Sequence, residues 1–252
     1  MFKDDFNDGI WDEYQWEAHL NEIEKMSAHL RQFITPDPSG NIPRWLALLQ
    51  DNVDELDAVD AFIEEELQIE DAYFPDDEDF DEWDDDELDD FFFDEFEDEE
   101  FLFDDEDDFD EGEDWKELSD DFTMSDYGSI DTLDIYNDSR ELAAVILQWA
   151  ETINPKYLAQ YNDFVGNVLK IGAKIAGGYS FGFEPDFLGG NIAYTKKALH
   201  YANEALTILQ RDLKNTRFLS KKQYYYFHGQ LFELRNSIGI YIQDLRERFL
   251  GY

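Results

Sequence analysis

Cysteine is missing from all 252 residues. Its absence excludes disulfides, thiolate metal sites and cysteine nucleophiles, and it fits a cytoplasmic location. Histidine is scarce, with His19, His29, His200 and His228 the full set. None stands in a Glu-x-x-His or His-Glu-x-x-His arrangement, so the usual helical di-iron and zinc-protease ligand patterns are missing. No stretch reaches the ~18 consecutive apolar residues that a membrane-spanning helix needs. The first ten residues, MFKDDFNDGI, lack the apolar core of a secretory leader. Neither a Gly-x-x-x-x-Gly-Lys-Ser/Thr loop nor a Gly-x-Ser-x-Gly elbow occurs. Lysine and arginine are absent between Arg44 and Lys116.

That last gap marks an asymmetry. The net charge is −44, and residues 1–115 hold 46 acids against 4 bases, whereas residues 116–252 hold 17 against 15. A near-neutral half is joined to a strongly anionic one. Such a half repels nucleic-acid phosphates and anionic lipid and attracts basic surfaces, in a salt-dependent way.

The charge is densest in the low-complexity stretch 76–114, where 27 of 39 residues are Asp or Glu and none is basic. Phe80, Trp83, Leu88, Phe91, Phe92, Phe93, Phe96, Phe101, Leu102, Phe103 and Phe109 are set into it. Composition alone predicts a largely disordered segment, because so charged a chain cannot bury enough apolar area to offset its conformational entropy. The spacing of Leu88, Phe92, Phe96 and Phe103 also allows a conditional helix with one apolar stripe. Like charges four residues apart oppose it until a partner neutralises them.

On either side the pattern is helical. Trp16, Leu20, Ile23, Leu30 and Ile34 predict an amphipathic helix over about 7–34, stopped by the Pro/Gly-rich run 35–40. A second helix is predicted to about residue 70, with Asn41 as its cap, Pro43 in its first turn, and Trp45, Leu49, Val53, Leu56, Val59, Ile63 and Leu67 on one face. Its other face carries Asp51, Asp54, Asp57, Asp60, Glu64 and Glu65 without interspersed bases. After a polar linker over 116–137, four further helices follow. Asp138 or Ser139 would cap the first, which carries Leu142, Val145, Ile146 and Trp149. The second begins at Asn154-Pro155 and carries Leu158, Tyr161, Val165, Val168, Gly172 and Ile175. A glycine- and aromatic-rich loop over 179–190 would lead to the third, with Ile192, Leu199, Ala202, Leu206, Leu209 and Leu213. The last carries Phe227, Leu231, Leu234, Ile238, Tyr241, Leu245 and Phe249. The expected fold is all-α: an acidic helical hairpin over 1–72, an acidic aromatic arm and linker over 73–127, and a four-helix bundle over 128–252.

Candidate chemistry is thin. His200 and Glu204 share a helix face at i, i+4, and His228 sits among Tyr224, Tyr225, Tyr226 and Phe227. Arg235-Asn236 in FELRNSIGIY resembles the Arg-Asn start of the ribonuclease motif of HEPN-type bundles, but Ile240 stands where that motif places its histidine. Aligning Gly112 to the glycine of a calcium-binding EF-hand loop puts Phe109 at a ligand position, so that pattern fails. No catalytic residue, cofactor or metal site is expected. Lys196, Lys197, Arg211, Lys214, Arg217, Lys221 and Lys222 form a basic cluster, readable as mixed surface charge or as a landing patch for the arm.

The reading that follows is a non-enzymatic binding protein whose arm occupies the basic, nucleic-acid-binding surface of a protein partner. The contact residues would be Trp83, Asp84, Asp85, Asp86, Glu87, Leu88, Phe91, Phe92, Phe93, Asp94, Glu95, Phe96, Phe101 and Phe103. In general character this is similar to nucleic-acid-mimic inhibitors and to acidic histone or ribosomal-protein chaperones. Direct nucleic-acid or membrane binding is not expected. The alternative is a helical-bundle adaptor, homodimeric through its C-terminal bundle, with the arm as a solubilising or autoinhibitory tail.

Overall fold

The computed structural model describes residues 10–34, 42–71, 124–125 and 128–251. Seven α-helices account for most of them: α1 (Glu13–Ile34), α2 (Arg44–Asp51), α3 (Glu55–Asp71), α4 (Asp134–Glu151), α5 (Leu158–Ser180), α6 (Pro185–Ile208) and α7 (Lys221–Leu250). A π-helical turn, Leu209–Leu213, extends α6. The fold class is all-α. The one ladder among the described residues is the antiparallel pair β1 (Met124–Ser125) and β2 (Gly128–Ser129), turned at Gly128 with φ +106°.

Helices α4 to α7 close a four-membered ring, each packed on the next and α7 back on α4. Their short connections make sequence neighbours antiparallel. The expected 3-4 seams face inward: Ile146, Val165, Val168, Leu209, Leu231, Ile238 and Leu245 are buried. One end is closed by aromatic rings. Trp149 packs edge-on to Tyr161 (5.8 Å), Phe164 (6.0 Å) and Phe227 (5.4 Å), with Phe218 from the α6–α7 turn at 6.3 Å. α7 begins at a capping box, in which Ser220 Oγ accepts from Gln223 N and Gln223 Oε1 accepts from Ser220 N.

The N-terminal helices are part of this body. Trp45, Leu48, Val59, Phe62, Ile63 and Leu67 belong to the same buried cluster as the bundle. α3 lies against α4 and α5, and α1 lies mainly on α6. Residues 42–71 and 128–250 therefore share one core, a relationship that the periodicity left open.

Several local expectations are corrected. The second predicted helix is two. Asp54 Oδ1 accepts from Leu56 N and Asp57 N at 2.9 Å and caps α3, leaving Val53 95% exposed and Leu56 at the rim. Pro43 occupies the cap position of α2 rather than its first turn. α4 starts at Asp134, not near Ser139. Ser139 is buried and donates to Tyr136 O at 2.7 Å. Ile130, Ile135 and Tyr136, placed in the linker by composition, are core.

The glycine-rich loop is also shorter than expected, because α5 runs through Gly177-Gly178 and α6 already contains Gly189-Gly190. These glycines permit close approach. A Cβ on Gly178 would lie 3.1 Å from Asn191 O, and one on Gly189 would lie 2.4 Å from Trp11 O. The α1 stop at 35–40, the Asn41 cap, the side chains of His29, Leu30 and Ile34, and the whole of 76–114 lie outside the described residues.

Candidate functional site

All fourteen predicted contact residues, Trp83 to Phe103, lie outside the described residues. What the structure does place is the basic cluster, and it divides in two.

The first part lies under α1. This helix is capped by Asp12, whose Oδ1 accepts from Tyr14 N and Gln15 N at 2.9 Å. Its apolar face is short: Leu20 and Ile23 are buried against Ala193 and Tyr194, with Trp16 set edge-on to Phe181 at 5.0 Å. The rest of the contact is ionic. Glu13 accepts from Arg246 at 2.6 and 2.7 Å and lies 3.4 Å from Lys196. Glu17 also pairs with Lys196. Glu24 takes Lys197 at 2.8 Å and Lys174 at 3.3 Å, while Lys197 reaches Asn21 Oδ1 at 2.9 Å. An acidic helix thus rests on a strip of four cations, Lys174, Lys196, Lys197 and Arg246, drawn from α5, α6 and α7.

The electrostatics follow from that geometry. Burial would raise the Glu24 carboxyl, but the charges and hydrogen bonds of Lys174 and Lys197 outweigh it and pull the group down to about 2. The hydrogen bond from Arg246 holds Glu13 below the usual carboxylate range, against the opposing effect of burial. The acidic face of α3 also finds relief that the sequence did not show. Arg140 on α4 meets Asp60 at 2.6 Å and Asp131 at 3.7 Å, and Arg44 meets Glu65 at 2.8 Å.

The second part surrounds the α6–α7 turn. Arg211 is taken by Asp212, and Lys214 lies over the Tyr224 ring at 5.6 Å. Arg217, Lys221 and Lys222 are exposed and meet no carboxylate among the described residues. From this turn an uncharged strip runs along α7 through Tyr225, Gly229, Phe232 and Ile240, the three side chains 70%, 48% and 64% exposed.

The remaining candidates make contacts within the fold. His228 Nε2 lies 2.9 Å from Gln210 Nε2, and its ring stacks on Phe232. His19 sits edge-on to Trp11 and Trp16 rather than on bare surface. Arg235 donates to Asn203 and Asn236, tying α7 to α6. Among the described residues no three His, Asp or Glu side chains converge as a metal site would require. A groove of about 880 Å³ between α2, α3, α5 and the end of α6 mixes Arg44, Lys170 and Arg211 with Glu66, Asp163 and Glu204. It presents no single-sign field to a ligand. No described helix is long and apolar enough to cross a membrane.

No family model, no curated protein and no solved structure matches the chain.

Proposed function

We propose that the protein is a non-enzymatic acidic binding protein that occupies the basic, nucleic-acid-binding surface of a protein partner and acts there as a nucleic-acid-mimic inhibitor or chaperone. Carboxylates of 76–114 stand in for phosphates against lysine and arginine, and the interspersed rings supply apolar anchors and cation–π contacts. The observation that carries this reading is the charge itself: 27 acids in 39 residues with no base between Arg44 and Lys116. The seating of α1 supports it by example. There an acidic helix with a short apolar face is held on a cationic strip, with two of its carboxylates depressed by their partners.

The exposed Tyr225–Phe232–Ile240 strip favours a second reading, a bundle that serves as a homodimeric or adaptor module. One experiment separates them. Residues 76–114 are replaced by an uncharged Gly/Ser segment of equal length, and captured proteins are identified at low and high salt. The mimic reading expects a set of basic nucleic-acid-binding proteins, released by salt and lost on replacement. A salt-resistant partner that survives replacement overturns it in favour of the bundle.

A further inference from the structure

The geometry points to the α6–α7 turn as a docking surface for the chain's own acidic segment 76–114, so that the arm is held on its own bundle until a stronger cationic surface takes it. This rests on the proposed affinity of the arm for basic surfaces and adds its regulation.

Most other described cations are already committed: to carboxylates (Arg44, Arg140, Lys174, Lys196, Lys197, Arg211, Arg246) or to rings (Lys156, Lys170, Arg248). Arg217, Lys221 and Lys222 are gathered at one turn and are not, in a chain of net charge −44. The strip beside them suits an occupant that carries rings. Tyr225 and Phe232 flank Gly229, where a Cβ would meet nothing within 4 Å, leaving an open notch between two exposed aromatics. The segment that combines acids without bases and regularly interspersed phenylalanines is 76–114.

Reach is sufficient. Leu67 packs on Gly177, and Tyr179 Oη donates to Gly128 O, so both anchors of the segment lie near the C-terminal end of α5. Phe218 packs on Tyr157, so the basic turn lies at the N-terminal end of α5. A helix of that length spans roughly 35 Å. About 50 residues of chain extend to at most ~170 Å, enough to go and return. Tethering at both ends gives the arm a local concentration on the order of millimolar, which favours its own turn over that of a second copy.

The test uses the full chain. Zero-length carbodiimide coupling at low salt, mapped by mass spectrometry on mixed isotope-labelled and unlabelled chains, should join Lys221 or Lys222 to carboxylates of 76–114 within one chain and fail at high salt. The Lys221→Gln/Lys222→Gln variant should bind poly-L-lysine several-fold to about tenfold more tightly. Its reference is Lys25→Gln/Arg248→Gln, which makes the same charge change at exposed sites away from the turn. Absence of these links, links only between chains, or equal affinities of the two variants overturns the inference. Links without any affinity of the chain for cationic proteins would instead leave docking in place and remove the function proposed above.

Discussion

Lys174, 2% exposed, places its Nζ 3.3 Å from Glu24 Oε1, joining the C-terminal half of α5 to α1 across 150 residues of sequence. Replacing Glu24 takes its carboxylate from both Lys174 and Lys197 in a poorly solvated place, which costs about 3–5 kcal/mol for a buried pair. Because α1 is held chiefly on α6, the loss should appear as local release. Glu24→Gln should speed amide exchange in α1 by at least about a hundredfold and leave α4 to α7 protected. Lys174→Met should release α1 less than Glu24→Gln does, since Glu24 keeps Lys197 at 2.8 Å.

Acid should release the same helix. Glu24 sits at about 2 in the folded chain, below its ordinary value of 4.5, so its contribution is fully present above that value and is lost as pH falls towards 2. Glu13 is shifted in the same direction and adds to the effect. Trp16 emission, from a ring now packed on Phe181, should report undocking over this window before the bundle's far-ultraviolet helicity falls.

Two glycines on the bundle should respond oppositely to a methyl group. Gly189→Ala places Cβ 2.4 Å from Trp11 O, a backbone atom, so the 11–16 segment must move and urea stability should fall. Gly229→Ala meets nothing within 4 Å on helical backbone and should stabilise by about 0.5–1 kcal/mol. Chemical denaturation of the two variants checks both signs.

The break between α2 and α3 rests on one carboxylate. Asp54→Ala removes the acceptor for Leu56 N and Asp57 N and should cost about 1 kcal/mol. Val53→Thr, at a fully exposed position, should change the denaturation midpoint little.

Trp149 closes one end of the bundle against four rings. Trp149→Ala should cost about 3–5 kcal/mol, measurable as a lowered urea midpoint with an unchanged slope.

The bundle was legible wherever spacing alone decides burial. The Phe227–Leu231–Leu234–Ile238–Leu245 seam faces the core as its period requires. Expectation failed where a non-local contact overrode a local signal. Val53 and Leu56 keep the helical period across a break set by Asp54. Gly177-Gly178 and Gly189-Gly190 read as punctuation because nothing local shows that α5, α6 and the chain before α1 must approach so closely. In the candidate site, Lys196 and Lys197 were visible as part of a basic cluster. Their carboxylate partners Glu13, Glu17 and Glu24 lie more than 170 residues away, beyond any periodicity argument. The arm's own residues, Trp83 to Phe103, fall outside the described structure.

The common core of residues 42–71 and 128–250 has a topological result. Whatever 76–114 binds, it does so as a strand of chain with no free end. A single protease cut within it leaves both halves attached to the same body, so two cuts are needed to shed the anionic mass. Nicked protein should therefore migrate as one particle until it is denatured.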